Sequence, residues 1–117
     1  MPLPQHTLPI VGLDYPNRRG PSRRAALAQC RPGDSLTLKP EPDNPADRHA
    51  IRVVSPDGIT LGYISAERAP RLAALIARHR TVRVIFQGCA GHQAFVRIAY
   101  DEDIPCLPQP GQDAATP

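Results

Sequence analysis

The sequence predicts a small, mainly β protein with two short helices, in which the strands form a partly closed barrel and the helices cover its ends. Three observations support this fold class. Six short segments are rich in β-branched residues or alternate apolar with polar residues, only two segments have helical spacing, and glycine- and proline-rich turns separate them. The 117 residues, without an internal repeat, suit one domain with a single core.

The first half of the chain contains two predicted strands and one predicted helix. Residues 8–15 (LPIVGLDY) are an apolar, β-branched run that predicts the first strand. An arginine-rich loop follows and ends at Ser22, whose hydroxyl is suited to cap a helix over residues 23–30. RPGD is a turn sequence, and the alternation in SLTLKP predicts a second strand over residues 35–40.

The second half contains four predicted strands and a longer helix. Gly62 within the fourth strand predicts a bulge or a tight bend. Apolar residues at i, i+3, i+4 and i+7 predict a helix over residues 67–79, with Pro70 in its first turn. The predicted strands are residues 50–54, 59–64, 81–88 and 93–100, the last two joined as a hairpin across residues 89–92.

Charge divides the chain into three predicted regions: a flexible N-terminus (residues 1–7), the barrel domain (8–100) and an acidic, proline-rich, disordered tail (101–117). Residues 1–100 hold all fourteen basic residues against seven acidic ones, whereas the tail holds four acidic residues. A cationic body is compatible with a polyanionic partner. Thirteen of the basic residues are arginine, which reflects either phosphate binding or a bias in composition.

Cysteine usage and hydropathy indicate where the protein works. Cys30, Cys89 and Cys106 are odd in number and form no C-x-x-C pair, which argues against a disulfide framework or a structural zinc site and favours a reducing compartment. No charged leader precedes an apolar run, and no segment approaches the ~18 apolar residues of a membrane span. We expect a cytoplasmic protein without a membrane segment.

Catalytic motifs are absent from the sequence. Glu41, Asp43, Asp47 and His49 form a cluster that a divalent metal could use, but acidic and amide residues beside proline more often bond their own backbone in turns. No cysteine or serine lies in a nucleophile motif, and no glycine-rich phosphate loop occurs. The sequence therefore predicts no enzyme activity, no cofactor and no metal.

The order of short motifs resembles the HIRAN domain. It contains V-G-L with a nearby tyrosine (residues 11–15), PGD (32–34), L-x-L (36–38), EPDNPADRHAIRV (41–53) and LGYI (61–64), followed by a leucine- and alanine-rich helix. The resemblance covers about residues 9–80. It implies an OB-like β-barrel of the kind found at the N-terminus of Swi/Snf-type DNA translocases and, in bacteria, alone or joined to other modules.

The resemblance also implies a site for the 3′-hydroxyl end of single-stranded DNA. By position, Tyr15 and Tyr63 match residues of the DNA pocket, and Asn44 and Asp47 match the polar members of its loop. Tyr15 and Tyr63 either stack on bases or complete the barrel wall. Asp47 either contacts the 3′-hydroxyl or accepts backbone N–H bonds, and Asn44 is interpreted mainly as a structural residue.

Two departures from the family pattern affect this site. Asp14 and Pro16 stand where DNA-binding members carry an arginine and a second aromatic residue, so a carboxylate faces the strand and a stacking partner is lost. A basic loop offers electrostatic compensation through Arg18, Arg19, Arg23 and Arg24.

The predicted function is a non-catalytic nucleic-acid-binding module for single-stranded DNA or DNA 3′ ends, acting in repair or replication-fork processing. Its expected protein partner is a helicase, a nuclease or a translocase. The alternative is a protein-interaction or scaffold domain that has lost the DNA-end pocket, which Asp14 and Pro16 favour.

Overall fold

The computed structural model describes residues 4–108, which form a closed, six-stranded antiparallel barrel with two helices. The strands close in the order β1-β4-β3-β2-β5-β6, and β6 pairs back to β1. The predicted fold class is confirmed, and the barrel is fully rather than partly closed. The elements are β1 (His6–Val11), α1 (Arg23–Ala28), β2 (Ser35–Pro40), β3 (Ile51–Val54), β4 (Thr60–Ile64), α2 (Ala69–Arg78), β5 (Val82–Ala90) and β6 (Gln93–Tyr100).

The core fills the barrel interior because alternate residues of each strand point inward. In β3, Ile51 and Val53 are fully buried and Arg52 between them is not. Helix α2 contributes its buried face to the same core, and its Leu72 is only 1% exposed. The core is therefore almost entirely aliphatic, with Phe86 and Tyr100 as its aromatic members.

The first strand lies earlier in the chain than predicted, at residues 6–11 rather than 8–15. His6 already pairs with Ile98 of β6, so the predicted flexible N-terminus does not extend to residues 6 and 7. The strand ends because Gly12 has a φ of +75° and begins a turn in which the Tyr15 backbone N–H donates to the Gly12 carbonyl at 3.3 Å. Residues 1–3 lie outside the described residues.

Gly62 is required where β4 pairs with β1. A Cβ atom at this position would lie 2.4 Å from the carbonyl oxygen of Val11, so only glycine allows the two backbones to approach. The predicted bulge is present beside it, since the β3–β4 register shifts between Val53 and Val54. The pairing of β1 with β4 places Val11, the last residue before the loop, opposite Tyr63.

Both helices form where they are predicted, although each is shorter. Ser22 caps α1 as predicted, with its Oγ accepting from the Ala25 backbone N–H at 3.0 Å. Pro70 occupies the first turn of α2, also as predicted, and α2 starts two residues later than expected. No helix within residues 4–108 has the length and apolar character needed to cross a membrane.

The segment after β6 contacts the barrel at residues 101–106, which we call the strap. Gln5 Nε2 donates to Asp103 Oδ2 at 2.9 Å, and His79 Nδ1 lies 2.8 Å from Asp101 Oδ2. Glu102 pairs with Arg80. Three of the four acidic residues of the predicted tail, residues 101–117, thus make hydrogen bonds or ion pairs with the rest of the domain. Residues 109–117 of that tail lie outside the described residues, so their disorder stays a prediction.

Candidate functional site

Two adjoining cavities open on either side of Tyr63 in β4. The first, here called the tyrosine cavity, has a volume of about 780 Å³ and includes Tyr15 and Asp47 in its wall. The second, here called the arginine cavity, has a volume of about 600 Å³. Pro16, Arg23 and Tyr63 line both cavities and form the wall between them.

The tyrosine cavity is mainly apolar. Tyr15 extends from the turn after β1 with 69% of its surface exposed, so it does not complete the barrel wall. Its ring is available to a planar ligand, since aromatic faces bind bases by stacking. The rest of the apolar wall consists of Val11, Pro16, Ala46, Ala50, Ile64 and Ala66.

Arg23 fixes the wall between the cavities. Its Nε donates to Asn17 Oδ1 at 2.9 Å, and its Nη1 donates to the Gly12 carbonyl at 2.9 Å. The guanidinium carbon lies 5.6 Å from the centre of the Tyr63 ring, a cation–π distance. Asn17 in turn donates from Nδ2 to the Thr60 carbonyl at 3.0 Å, which ties the loop to β4. Asn17 is thus a site residue that the sequence prediction missed.

The loop between β2 and β3, residues 41–50, is here called the motif loop, and its first residue, Glu41, connects it to β3 and β4. Its Oε1 accepts from the Tyr63 hydroxyl and from Asn44 Nδ2, each at 3.0 Å. Its Oε2 lies 3.2 Å from Arg52 Nε. The pKa of Tyr63 is raised above its ordinary value, mainly by burial and to a lesser extent by the hydrogen bond to Glu41. The ring of Tyr63 is therefore held both at its face and at its hydroxyl.

Glu41 and Arg52 are also absent from the binding site that the sequence predicts. The outward position of Arg52 is visible in the sequence, because it lies between the inward-facing Ile51 and Val53. Glu41 is a candidate metal ligand in the sequence and not a partner of Tyr63. That partnership depends on the pairing of β3 with β4, which brings Arg52 opposite Tyr63.

Asn44 and Asp47 stiffen the motif loop, as the structural interpretation predicts. Asn44 Oδ1 accepts from the backbone N–H groups of Ala46 at 2.9 Å and Asp47 at 3.2 Å. Asp47 Oδ1 accepts from the His49 backbone N–H at 2.8 Å. Asp47 also lines the tyrosine cavity, and its Oδ2 accepts no hydrogen bond from any described residue. One carboxylate oxygen thus holds the loop, and the other has no hydrogen-bond partner within residues 4–108.

The four arginines that the sequence assigns to a basic loop are distributed differently around the site, and two of them, Arg23 and Arg24, are the first residues of α1. Arg18, Arg19 and Arg23 line the arginine cavity. Arg24 lies outside the walls of both cavities and pairs with Asp14, with Nε donating to Oδ1 at 2.8 Å and Nη2 to Oδ2 at 3.3 Å. Arg24 lowers the pKa of the Asp14 carboxyl. The carboxylate that departs from the family pattern is therefore neutralised by its neighbour.

The two cavities differ in charge. The arginine cavity has four arginines (Arg18, Arg19, Arg23 and Arg52) against the single carboxylate of Glu41, whereas Arg23 and Asp47 balance in the tyrosine cavity. Together the walls suit a ligand with one flat apolar part and one anionic part. Within residues 4–108, no three His, Cys, Asp or Glu side chains gather closely enough to hold a metal ion.

Comparison with known proteins identifies the family. A sequence model described as the HIRAN domain matches residues 6–100. A structure of a protein from Lactobacillus plantarum is similar, with a TM-score of 0.70 and 23% identity over 81% of this chain and 90% of that chain. The crystal structure of the HIRAN domain of human HLTF has a TM-score of 0.63 and 19% identity over 82% of this chain and 74% of that chain. No curated protein matches in sequence. The chain belongs to the HIRAN domain family.

Proposed function

We propose that this HIRAN domain is a non-catalytic nucleic-acid-binding module that holds the 3′ end of single-stranded DNA. Its context would be repair or replication-fork processing, beside a helicase, nuclease or translocase. The observation that carries the proposal is the exposed ring of Tyr15 beside an apolar cavity that also contains Asp47. Family membership supports the same ligand, since HIRAN resemblance implies DNA-end binding.

The tyrosine cavity offers a terminal base the contacts that it needs. The ring of Tyr15 provides a stacking face, and such contacts contribute about 1–3 kcal/mol per base. Pro16 supplies apolar surface in place of a second aromatic residue, which makes a single stacking partner the basis of binding. Because stacking tolerates every base, we expect little sequence preference.

Asp47 is suited to the strand terminus. A carboxylate accepts a short, charge-assisted hydrogen bond from a hydroxyl, whereas it repels a terminal phosphate. Its Oδ1 is held by the His49 backbone N–H, so the side chain is already oriented when the strand arrives. The 3′-hydroxyl would then donate to Oδ2. This arrangement would distinguish a 3′-hydroxyl from a 3′-phosphate end.

Fluorescence polarisation with two labelled strands tests the proposal. One strand ends in a 3′-hydroxyl, the other is identical but ends in a 3′-phosphate, and each is titrated at two salt concentrations. We expect the hydroxyl strand to bind about tenfold or more tightly, because a hydrogen bond to a charged group is worth about 1.5–3 kcal/mol. Equal, weak binding to both strands that high salt removes would refute end recognition, since phosphate attraction alone behaves in that way.

Two matched variants separate the roles of Asp47. Asp47→Asn keeps an Oδ1 acceptor for the His49 N–H and removes the charge, and Asp43→Asn makes the same change at an exposed position of the same loop. We expect Asp47→Asn to lose the preference for the 3′-hydroxyl without a change in thermal unfolding, and Asp43→Asn to keep both. An Asp47→Asn protein that keeps the preference would assign Asp47 to the loop alone. In that case the scaffold alternative would gain support.

A further inference from the structure

The arginine cavity contains hydrogen-bond donors that no described residue uses. Arg18 and Arg19 are exposed at its rim and make no hydrogen bond or ion pair within residues 4–108. The Nη2 groups of Arg23 and Arg52 likewise donate to no residue in the described part of the chain. Guanidinium groups bind phosphate oxygens in pairs, so these donors match a phosphate group.

Two of these arginines are held in place before any ligand binds. Arg23 is fixed by Asn17 and the Gly12 carbonyl, and Arg52 Nη1 donates to Thr60 Oγ1 at 3.3 Å. Arg52 Nε is buried without a hydrogen-bond partner among the described residues and has Glu41 Oε2 at 3.2 Å as its counter-charge. Preorganised donors lose little conformational entropy when an anion binds.

The position of the arginine cavity relates it to the DNA end. It shares Pro16, Arg23 and Tyr63 with the tyrosine cavity, so a ligand in one cavity lies next to the other. A single nucleotide has the matching composition, because a flat base and an anionic phosphate are joined through one sugar. Because Glu41 neutralises only one of the four arginines, the arginine cavity keeps a net positive charge, which one phosphodiester would partly balance.

We propose that the arginine cavity binds the last internucleotide phosphate of the strand whose terminal base occupies the tyrosine cavity. This inference rests on the proposed function and adds a second, defined contact to it. Arg18 and Arg19 would close on the phosphate from the rim, while Arg23 and Arg52 contact it from the wall. The recognised unit is thus a terminal nucleotide together with its 5′ phosphodiester linkage.

A strand with one neutral linkage tests the inference. Methylphosphonate replaces the last phosphodiester in one 3′-hydroxyl strand. In a second strand it replaces a linkage about six positions further from the end, which lies outside the terminal contacts. Polarisation titrations compare both with the unmodified strand. We expect the terminal replacement to weaken binding about tenfold and the distant one to weaken it by less than about twofold.

Protein variants assign the effect to the cavity. In the double variant Arg18→Ala/Arg19→Ala, replacing the terminal linkage should weaken binding by about threefold at most rather than about tenfold, because only Arg23 and Arg52 still contact that phosphate. Arg78→Ala removes an exposed arginine of α2 that lines neither cavity, and it should behave as the parent protein does. Thermal unfolding of all three proteins checks that the fold is retained.

The outcomes distinguish this inference from the proposed function. Equal losses from terminal and distant replacements, with the preference for a 3′-hydroxyl retained, would overturn the phosphate assignment and leave end binding intact. A double variant that still loses affinity for the terminal methylphosphonate strand as the parent does would overturn it as well. Loss of the 3′-hydroxyl preference in the parent protein would overturn both.

Discussion

The tyrosine cavity and the arginine cavity share one wall and yet offer a ligand opposite kinds of contact. Tyr15 and its apolar neighbours present surface that gains from leaving water, whereas four arginines around the second cavity present charge. Apolar and stacking contacts depend little on ionic strength, but the attraction between arginine and phosphate weakens steeply with salt. The contributions of the two cavities to binding can therefore be separated by varying the salt concentration.

The same two loops contribute residues to both cavities. The loop after β1 supplies Tyr15 at one end and Arg18 and Arg19 further along, with Gly12 turning the chain between β1 and Tyr15. The motif loop supplies Glu41 to one cavity and Asp47 to the other. A short sequence distance therefore separates residues with different physical tasks.

The largest effect is expected from Tyr15→Ala. The substitution removes the exposed stacking face of the tyrosine cavity, so affinity for a single strand should fall by about 5- to 150-fold, matching about 1–3 kcal/mol. The loss should be the same at low and high salt, because no charge changes. Polarisation titrations at both salt concentrations check this, and an unchanged thermal unfolding midpoint is expected. A loss seen only at low salt would contradict the assignment of the cavity.

A smaller and salt-dependent effect is expected from Arg18→Ala/Arg19→Ala. Every phosphate that the variant no longer neutralises should reduce the slope of log K against log salt by about 0.7, so affinity falls at low salt and converges with the parent at high salt. Titrations over a salt series measure this slope. The Arg78→Ala protein is the control, since its arginine is also exposed and is distant in sequence. Identical slopes for all three proteins would show that the rim arginines do not bind phosphate.

The smallest effect on binding is expected from Tyr63→Phe, which alters the shared wall. The ring remains, but the hydroxyl that donates to Glu41 is removed, so the free energy of unfolding should fall by about 1 kcal/mol while affinity changes little. Chemical denaturation at neutral pH measures this difference. A large loss of affinity would indicate that the hydroxyl itself binds the ligand.

The same variant gives a pH dependence with a defined sign. The pKa of Tyr63 is raised in the folded protein, first by burial and then by Glu41, so the folded state holds the phenolic proton more tightly than the unfolded state. The stability advantage over Tyr63→Phe should be complete below the unfolded pKa of about 10 and should be lost as pH rises through the folded pKa. An advantage that grows with pH in this range would contradict the assignment.

Most of the fold was predictable from local sequence. The alternation in residues 35–40 and 93–100 predicted β2 and β6 at their observed bounds, because one face of each strand must be buried. The end of β1 was not predictable in this way. Leu13 and Tyr15 continue a pattern that suits a strand, and only the positive φ of Gly12 ends it.

Only some residues of the candidate site, and none of the contacts between them, were predictable from the sequence. Tyr15, Asn44, Asp47 and Tyr63 followed from the motif order and line the cavities, as do three of the four predicted arginines. The partners Asn17, Glu41 and Arg52 depend on contacts between strands, which a linear pattern does not contain. The ion pair between Arg24 and Asp14 was likewise not predicted, because the sequence indicated only that Asp14 disfavours DNA and that Arg24 favours it.

The most direct test of DNA-end binding at the two cavities is a titration of the protein with a single strand that ends in a 3′-hydroxyl. The backbone amide chemical shifts are followed as the strand is added. We expect the largest shifts in residues 12–19 and 41–50 and at Tyr63, which surround the two cavities. The C-terminal half of α2 and the strap, residues 101–106, should change little. Shifts concentrated on α2 and the strap, with the two loops unaffected, would show that the strand does not bind at these cavities.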